Sequence, residues 1–292
     1  MRVLNKRDTS RTLHVWMANA ARTPSPAPPA RGILRAPPAD GLLEARRLLP
    51  SAKLARYVHH FWSLRWALRS PFVAEALPHP SAQILCVATS NELSAEVRGV
   101  HTGRLTRCLT GEGESFGITF RPGMFQPLWA APMSKLTDRA LPLEAVFGAK
   151  SGTWVRELVG ESLAENRLEI VEKYLEPLLP APSSRLTGIC ELVERMASDR
   201  SLLRVEDVVE LSGLELRALQ RAFRTYIGVS PKWVIQRYRL HEAAAQLTGL
   251  EPPPLAALAA SLGYADQAHF ARDFKRAVGS TPRCFGRPRL PQ

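Results

Sequence analysis

Residues 211–223 read Leu211-Ser212-Gly213-Leu214-Glu215-Leu216-Arg217-Ala218-Leu219-Gln220-Arg221-Ala222-Phe223 and lead to Gly228-Val229-Ser230-Pro231. Residues 262–274 read Leu262-Gly263-Tyr264-Ala265-Asp266-Gln267-Ala268-His269-Phe270-Ala271-Arg272-Asp273-Phe274 and lead to Gly279-Ser280-Thr281-Pro282. An offset of 51 residues aligns the two prolines, and it also pairs Gly228 with Gly279, Phe223 with Phe274 and Arg221 with Arg272. Each copy predicts a short helix, a glycine turn and a second helix. Two such helix-turn-helix units in one chain indicate DNA binding.

A second pair of apolar patterns predicts the helix ahead of each turn. The apolar positions are Val205, Val208, Val209 and Leu211 in the first copy, and Leu255, Leu258, Ala259 and Leu262 in the second. Both patterns start eight residues before the glycine of the turn, at Gly213 and Gly263. Later positions align only at the offset of 51, so the turn of the second copy is one residue longer.

The second helix of each unit is predicted to bury one face and to offer polar groups on the other. Leu219 and Phe223 form the buried pair of the first copy, and Phe270 and Phe274 form that of the second. Outward positions then hold Arg217, Gln220, Arg221 and Arg224 in the first copy, and Gln267, His269, Arg272, Lys275 and Arg276 in the second. Asp266 is a favourable N-cap for the second of these helices, whereas Glu215 caps the first less well.

One continuous helix is predicted between the two units, from Pro231 to Leu247. Proline suits the first helical position, and the alanine-rich end favours helix. About seventeen residues at roughly 1.5 Å each give about 25 Å, close to the repeat of one DNA turn, about 34 Å. The two recognition helices are therefore expected to reach successive major grooves from one side of the duplex.

The charge of the chain is concentrated at its ends. The net charge is +12, and residues 1–48 carry 9 basic and 3 acidic groups, residues 49–182 carry 14 and 13, and residues 183–292 carry 16 and 11. An excess of this kind favours an acidic partner such as nucleic acid. The sequence has no apolar run of about 18 residues and no signal-peptide core, so we expect a cytoplasmic protein with no membrane contact.

Four widely spaced cysteines, Cys86, Cys108, Cys190 and Cys284, match neither a zinc ribbon nor a dense disulfide framework. We expect reduced cysteines, no structural metal and no cofactor. A metal site of His59, His60, His79 and His101 with Glu75 is a weak alternative, because no close His-x-His pattern with a following acid occurs.

The predicted fold class is α+β, with a β-rich domain followed by an all-helical one. Residues 1–48 are Arg- and Pro-rich and are predicted to be a disordered lead-in. Residues 49–180 form a β-rich regulatory or dimerisation domain of about six strands with a helical end, for which a cupin-like barrel is one alternative. Residues 181–287 form the tandem helix-turn-helix domain and residues 288–292 a tail. Strands are predicted over 57–66, 82–88, 93–97 and 115–120, and helices over 143–147, 152–163 and 168–175.

The stretch from about Leu186 to Gly286 resembles the DNA-binding domain of the AraC/XylS family of bacterial transcription regulators. The motifs that carry this resemblance are Leu219-Gln220-Arg221-x-Phe223, Gly228-Val229-Ser230-Pro231, Arg237-x-Arg239-Leu240-x-x-Ala243 and Leu262-Gly263-Tyr264-x-Asp266-Gln267-x-His269-Phe270-x-Arg272-x-Phe274-Lys275. The resemblance covers about a third of the chain. It implies a seven-helix domain that binds asymmetric promoter sites. The preceding segment is similar to a β-rich domain found ahead of the same module in other bacterial regulators.

The resemblance also implies DNA-reading roles by position. The base-reading residues are Arg217, Gln220, Arg221, Gln267, Ala268, His269 and Arg272. Arginine and glutamine can bond bidentately to guanine and adenine edges, and Ala268 offers only a methyl contact. Phosphate contacts are assigned to Arg224, Lys232, Lys275, Arg276 and Arg283. Leu216 departs from the family pattern at the start of the first recognition helix.

Each assignment has an alternative. Arg221 and Arg272 could instead pair with an acid such as Glu206 or Asp273, and His269 could lie on the surface without a base contact. Arg121 could face an anionic effector, although a structural turn with Pro122-Gly123 is the simpler interpretation.

The expected partners are promoter DNA, and further candidates are a small-molecule effector, RNA polymerase and a second copy of the chain. Two other classes are considered: a DNA-repair alkyltransferase-like enzyme and a protein-interaction module with the same helical fold. The first lacks a Pro-Cys-His motif, and no triad or phosphate loop is readable, so we expect no enzyme. The outward Arg, Gln and Lys residues argue against the second.

Overall fold

The β-rich half of the molecule is one antiparallel sheet. The structure is a computed structural model that describes Leu34, residues 41–161 and residues 163–285. Its strands are β1 (Leu42–Leu48), β2 (Val58–Ala76), β3 (Gln83–Thr89), β4 (Leu93–Arg98), β5 (Leu105–Phe120) and β6 (Ala140–Pro142). They pair in the order β1-β2-β5-β3-β4-β6. The four strands predicted from the sequence overlap β2, β3, β4 and β5, and the described residues contain the expected six strands.

The two longest strands, β2 and β5, pair along most of their length and bend at one end. Their register shifts between Leu68 and Phe72, where Pro71 interrupts β2. Beyond this irregularity, Phe72 and Leu109 pack in the same apolar cluster as Leu85 of the central strand β3. Because residues from both halves of the pair share one cluster, the end of the long pair folds back over one face of the sheet.

Alternating side chains give the sheet two apolar faces. Phe61, Ile84 and Ile118 lie fully buried on the first face, which the helices of this domain cover. The covering helices are α1 (Gln126–Trp129), α2 (Leu143–Phe147), α3 (Ser151–Gly160) and α4 (Ala164–Leu175), with 3₁₀ turns at Met133–Lys135 and Glu176–Leu178. Trp62 and Leu85 lie on the second face, under the folded end of β2 and β5.

The helical half begins at α5. Its helices are α5 (Ser184–Ser198), α6 (Val205–Ser212), α7 (Leu216–Ala222), α8 (Pro231–Leu247), α9 (Leu255–Ser261) and α10 (Gln267–Val278), and Phe223–Ile227 forms a π-helical turn after α7. The α+β class is therefore confirmed. The resemblance implies seven helices, and the part described between Ser184 and Phe285 contains six α-helices.

Each helix-turn-helix unit has its own core. Val208, Leu219 and Phe223 belong to the first core, and Leu258, Phe270 and Phe274 to the second. All six side chains are at most 1% exposed. The predicted buried pairs are thus confirmed at equivalent places in both units.

The prediction for residues 1–48 is corrected at its end. Leu42–Leu48 pairs along its whole length with β2, from Leu42 opposite Ala67 to Leu48 opposite Phe61. Proline-rich composition upstream concealed a strand whose partner lies about twenty residues further along the chain. The rest of the predicted lead-in, residues 1–33 and 35–40, and the tail 288–292 lie outside the described residues.

Candidate DNA interface

The first recognition helix is α7. Gly213 ends α6 in the left-handed conformation, with φ of 65°, and the chain turns there into α7. Arg217, Gln220 and Arg221 are exposed on α7, and Arg224 is exposed on the π-helical turn that follows. The four side chains predicted to face outward therefore do so, while Leu219 anchors the opposite face.

The second recognition helix is α10. Asp266 caps it: its carboxylate accepts a hydrogen bond from the His269 backbone N–H at 2.7 Å. The predicted readers Gln267, Ala268, His269 and Arg272 are all exposed on this helix. The bond from the His269 N–H is also the main cause that lowers the pKa of Asp266, so the cap is ionised at neutral pH.

The arginines predicted to read bases form no ion pair with the residues that the structure describes, and Arg272 acts on Asp266 only through its charge at longer range. Asp273 lies 3.6 Å from His269 Nε2 and 3.4 Å from Arg276 Nη2, and it forms no ion pair with Arg272. Arg221 forms no ion pair with Glu206 or any other described acid either. Both guanidinium groups can therefore meet DNA without first breaking an ion pair. His269 is the one predicted reader held by an acid within the described ranges.

The predicted phosphate contacts surround the recognition helices. Lys232 is exposed at the start of α8, and Lys275 and Arg276 are exposed in the last turns of α10. Arg224 and Arg283 are also exposed, each beyond the end of a recognition helix. All five side chains are therefore accessible for bonds to phosphate oxygens.

The linker between the units is α8, with the predicted ends. Ser230 caps it by accepting a hydrogen bond from the Trp233 N–H at 3.2 Å. Arg237 is 4% exposed on this helix, stacks 4.5 Å from the Trp233 ring centre and donates to the Thr102 carbonyl. Burial lowers the pKa of Arg237 to about 10, which leaves it charged at neutral pH.

Sequence reasoning missed two contacts between the β-rich half and the recognition helices. Thr137 Oγ1 donates to the Gly228 carbonyl at 2.7 Å, directly after the first recognition helix and its π-helical turn. Arg104 Nη1 donates to the Val278 carbonyl at 3.3 Å, at the last residue of the second recognition helix. Gly228 and Gly279 end the two helices with φ of 101° and 86°. The β-rich half therefore holds both recognition helices at equivalent C-terminal ends. No local sequence signal marks such long-range contacts.

The loop before β3 makes a further contact with the linker helix. Leu77 is 2% exposed and belongs to the core of the second unit. The rings of His79 and His241 stack with centres 4.1 Å apart, and His241 Nε2 lies 3.1 Å from the Pro78 carbonyl oxygen. The β-rich half thus contributes a side chain to the second unit's core.

Arg121 has a structural role. Its Nε and Nη2 donate to the Glu194 carboxylate at 2.7 and 2.6 Å, which joins the end of β5 to α5. The bonds to Glu194 raise the pKa of Arg121. The structural interpretation of Arg121 therefore applies, since a carboxylate of the chain itself takes both donors.

The cysteines of the chain are free thiols. Cys86 and Cys190 are buried, and burial raises the pKa of each to about 12, so both are protonated at neutral pH. Cys108 and Cys284 are exposed. Within the described ranges no three His, Cys, Asp or Glu side chains come close enough to hold a metal ion. None of the described helices has the length and apolar content needed to cross a bilayer.

Fold and surface together define a tandem helix-turn-helix DNA-binding domain behind a β-rich domain. Residues 209–287 match the family described as "Helix-turn-helix domain", and residues 46–142 match a domain of unknown function, DUF6597. The chain is 32% identical over 78 residues to the RCS-specific HTH-type transcriptional activator RclR of Escherichia coli K12. These findings show a helix-turn-helix domain at the C-terminus that is similar to part of RclR. The match with RclR spans 27% of each protein.

Solved structures of ToxT from Vibrio cholerae are also similar. One, at 1.65 Å resolution, is 12% identical, with 82% of this chain and 96% of ToxT covered and a TM-score of 0.39. Another, of ToxT from strain O395, is 13% identical, with 83% and 95% covered and a TM-score of 0.36. Because both TM-scores are below 0.5, the fold is assigned from the helices and strands of this chain alone.

Proposed function

We propose that this chain is a sequence-specific transcription regulator of bacterial type that binds promoter DNA and reads two successive major grooves, one with each recognition helix. The observation that carries the proposal is the shared arrangement of α7 and α10. α7 together with the π-helical turn after it buries one apolar pair, and α10 buries the equivalent pair; both helices expose arginine and glutamine on the opposite face. These side chains have the donors and acceptors that base edges require.

The base-reading and phosphate-binding roles follow from this arrangement. Arg217, Gln220 and Arg221 read one half of the site, and Gln267, Ala268, His269 and Arg272 read the other. Arg224, Lys232, Lys275, Arg276 and Arg283 bond to phosphates and set the register. The 17-residue linker helix supports the two-groove geometry, because its length of about 25 Å approaches one turn of DNA.

The experiment is selection of bound fragments from a genomic DNA library by the full-length protein, followed by footprinting. The expected site is asymmetric, with two protected major grooves whose centres lie about 10 base pairs apart. A single protected groove would contradict two-groove reading. Equal binding to all fragments would contradict sequence-specific regulation.

We further propose that the β-rich domain regulates DNA binding in response to a small effector. Its contacts to Gly228 and Val278 support this, since both recognition helices are fixed through Thr137 and Arg104. Arg104 also pairs with Glu75 at 2.8 Å, and Glu75 lines a large cavity. A ligand in that cavity that contacts Glu75 would therefore be linked to the second recognition helix through the Glu75–Arg104 ion pair.

Dimerisation, contact with RNA polymerase, a cytoplasmic location and the domain limits 49–180 and 181–287 stay predictions. The alternative of a DNA-repair alkyltransferase-like enzyme needs a thiolate nucleophile. The raised pKa values of Cys86 and Cys190 disfavour that role for both residues. The alternative of a protein-interaction module is disfavoured because Arg217 and Arg221 on the first recognition helix and Arg272 on the second are exposed and form no ion pair with a described acid.

A further inference from the structure

A cavity of about 2240 Å³ lies between the second face of the sheet and the linker helix. It is larger than a single small-molecule site, which typically measures about 300–1,000 Å³. The excess arises because the lining extends from β-strand residues such as Trp62 and Thr119 to α8 residues such as His241 and Glu242. We call the part of this cavity that lies over the sheet the compartment; both apolar and polar side chains line it.

The apolar side is built around Trp62. Its indole lies directly on Gly117 of the neighbouring strand, where any Cβ would collide with the ring. Leu85 is paired with Gly117 from the other side, and Leu64 belongs to the same apolar cluster. A flat aromatic ring therefore lines the cavity beside aliphatic side chains.

The polar side contains two buried hydroxyls without partners. Ser115 and Thr119 are each 2% exposed and line the cavity, and neither hydroxyl has a hydrogen-bond partner among the residues that the structure describes. Thr119 lies opposite His60 on one side and Gln83 on the other. A buried hydroxyl without a partner costs free energy, which a ligand acceptor would recover.

His60 adds no positive charge to the polar side of the cavity. Burial, followed by the charge of Arg47, lowers the pKa of His60 to about 3. The ring is therefore neutral at physiological pH. The permanent positive charges in the lining are those of the arginines.

Among the charged residues that line the cavity, Arg107 is left without an ion pair to any described residue. Among the described residues, seven arginines and four carboxylates line it. All four carboxylates already pair with other arginines: Glu75 with Arg104, Glu194 with Arg121, Asp199 with Arg195 and Glu242 with Arg200. Arg98 pairs with Glu96, at 2.6 Å. Arg107 has neither an ion pair nor a hydrogen bond with any described residue.

Arg107 lines the cavity and is half-buried. It lies opposite Ala74 on the folded end of the β2–β5 pair, two residues from the buried Leu109. Burial and then the nearby charge of Arg98 lower the pKa of Arg107, while the charges of Glu92 and Glu96 act in the opposite direction. Neither carboxylate forms an ion pair with Arg107, so an anion bonded to its guanidinium would add a direct, charge-assisted hydrogen bond.

From these contacts we infer that the compartment binds an amphipathic organic anion, whose flat apolar body lies against Trp62 and Leu85 and whose anionic group bonds to Arg107 and the Thr119 hydroxyl. The inference rests on the effector control proposed above and names its ligand class. The same cavity reaches His241 and Glu242 of the linker helix, so an occupant large enough to fill it contacts both halves of the molecule.

Two fluorescent probes with the same aromatic body test the charge requirement. Anilinonaphthalene sulfonate is anionic and N-phenylnaphthylamine is neutral. The full-length protein should bind the sulfonate about tenfold more tightly, since a charge-assisted hydrogen bond is worth roughly that factor. Arg107→Gln should remove most of this preference and leave the affinity for the neutral probe unchanged. Thr119→Val, nearly equal in volume, should weaken the sulfonate several-fold.

Arg139→Gln is the matched control, because Arg139 is exposed just before β6 and does not line the cavity. It should change neither affinity. Equal binding of the two probes by the unaltered protein, or equal losses for both probes in Arg107→Gln, would overturn the inference. Binding to the selected DNA site is measured separately in each variant. Absence of any selected DNA site counts against the proposed function, whereas loss of probe discrimination counts against the ligand class alone.

A second inference rests on an independent observation at the first recognition helix. Leu216 is the first residue of α7 and is 45% exposed. At the offset of 51 it takes the place of Gln267, the first residue of α10 and a proposed base reader. The first residues of a recognition helix approach base edges most closely. A leucine there has only apolar groups to offer.

We propose that Leu216 reads thymine through the thymine methyl group, the one apolar feature of the major groove. Replacing the contacted thymine by deoxyuridine removes only that methyl and should weaken binding about threefold to fivefold. In Leu216→Ala the same replacement should have almost no effect. Leu211→Ala is the control, because Leu211 is equally exposed but lies on α6. If no thymine in the first half-site shows the effect, or if Leu216→Ala keeps it, the role of Leu216 is wrong.

Discussion

The two helix-turn-helix units share a buried framework and one outward arginine, Arg221 in the first and Arg272 in the second, and differ at several other outward positions. Leu219 and Phe223 in the first unit, and Phe270 and Phe274 in the second, are all 0% exposed. Outside this framework, Arg217 and Gln220 correspond to Ala268 and Ala271. Packing is thus repeated while the reading face varies, which suits a single chain that recognises two unlike half-sites.

The helices that carry these faces also differ in construction. The first recognition helix has seven residues and passes into the π-helical turn Phe223–Ile227, which packs against the Met133–Lys135 turn of the β-rich half. The second is a continuous helix of 12 residues with a side-chain cap. The first helix therefore depends more on contacts with the β-rich half, and the second more on its own capping.

The largest effect is expected from breaking the shared framework. Phe223→Ala and Phe274→Ala should each lower the free energy of unfolding by about 3–5 kcal/mol, because both rings are fully buried. Urea denaturation followed by tryptophan fluorescence measures the loss. Leu211→Ala, at an exposed position, should change it by less than about 0.5 kcal/mol. A small loss in only one of the two phenylalanine variants would show that the cores are not equivalent.

The next effect separates the two reading faces. Arg221→Ala and Arg272→Ala, at equivalent positions, should each cost about 1–3 kcal/mol of binding free energy and relax specificity in different half-sites. Lys275→Ala should weaken binding to all sequences alike and reduce the salt dependence, as expected for a phosphate contact. Competition binding with half-site variants measures both. Relaxation of the same half-site by both arginine variants would contradict separate reading by the two helices.

Much of this comparison could be predicted from the sequence, because the framework is local and periodic. The buried pairs, the Asp266 cap, the linker Pro231–Leu247 and the longer second turn all arise from residues within a few helical turns of one another. The first strand, Leu42–Leu48, and the contacts of Thr137 and Arg104 could not be predicted. The two contacts join residues that are 91 and 174 positions apart in the sequence. No local pattern specifies such pairings.

A smaller effect should follow from removing the hydrogen bond that joins each recognition helix to the β-rich half. Thr137→Val and Arg104→Gln each remove a hydrogen bond to the end of one helix, worth about 1 kcal/mol, and Arg104→Gln also removes the ion pair with Glu75. Both variants should tolerate changes in the spacing between half-sites better than the unaltered protein, because the relative position of the helices is less constrained. Binding to sites with one base pair added or removed measures the tolerance. Arg139→Gln serves as the control, and unchanged spacing preference in both variants would contradict this coupling.

The smallest effect concerns the caps. Asp266 accepts the His269 N–H, whereas Glu215 at the equivalent position forms no side-chain cap bond. Asp266→Ala should therefore lower the melting temperature, and Glu215→Ala should change it little. Because the pKa of Asp266 is lowered in the folded protein, its contribution is present at neutral pH and is lost as the pH falls through that lowered pKa.

Glu215→Ser should raise the melting temperature, since serine can supply the missing cap bond. If the serine has no effect, the backbone at Glu215 cannot accept a cap, and the contacts of the π-helical turn with the β-rich half become the main restraint on the first recognition helix. Calorimetry on Glu215→Ser combined with Thr137→Val decides between these cases. A cap that stabilises should partly compensate for the lost Thr137 bond, whereas without one the double variant should melt like Thr137→Val alone.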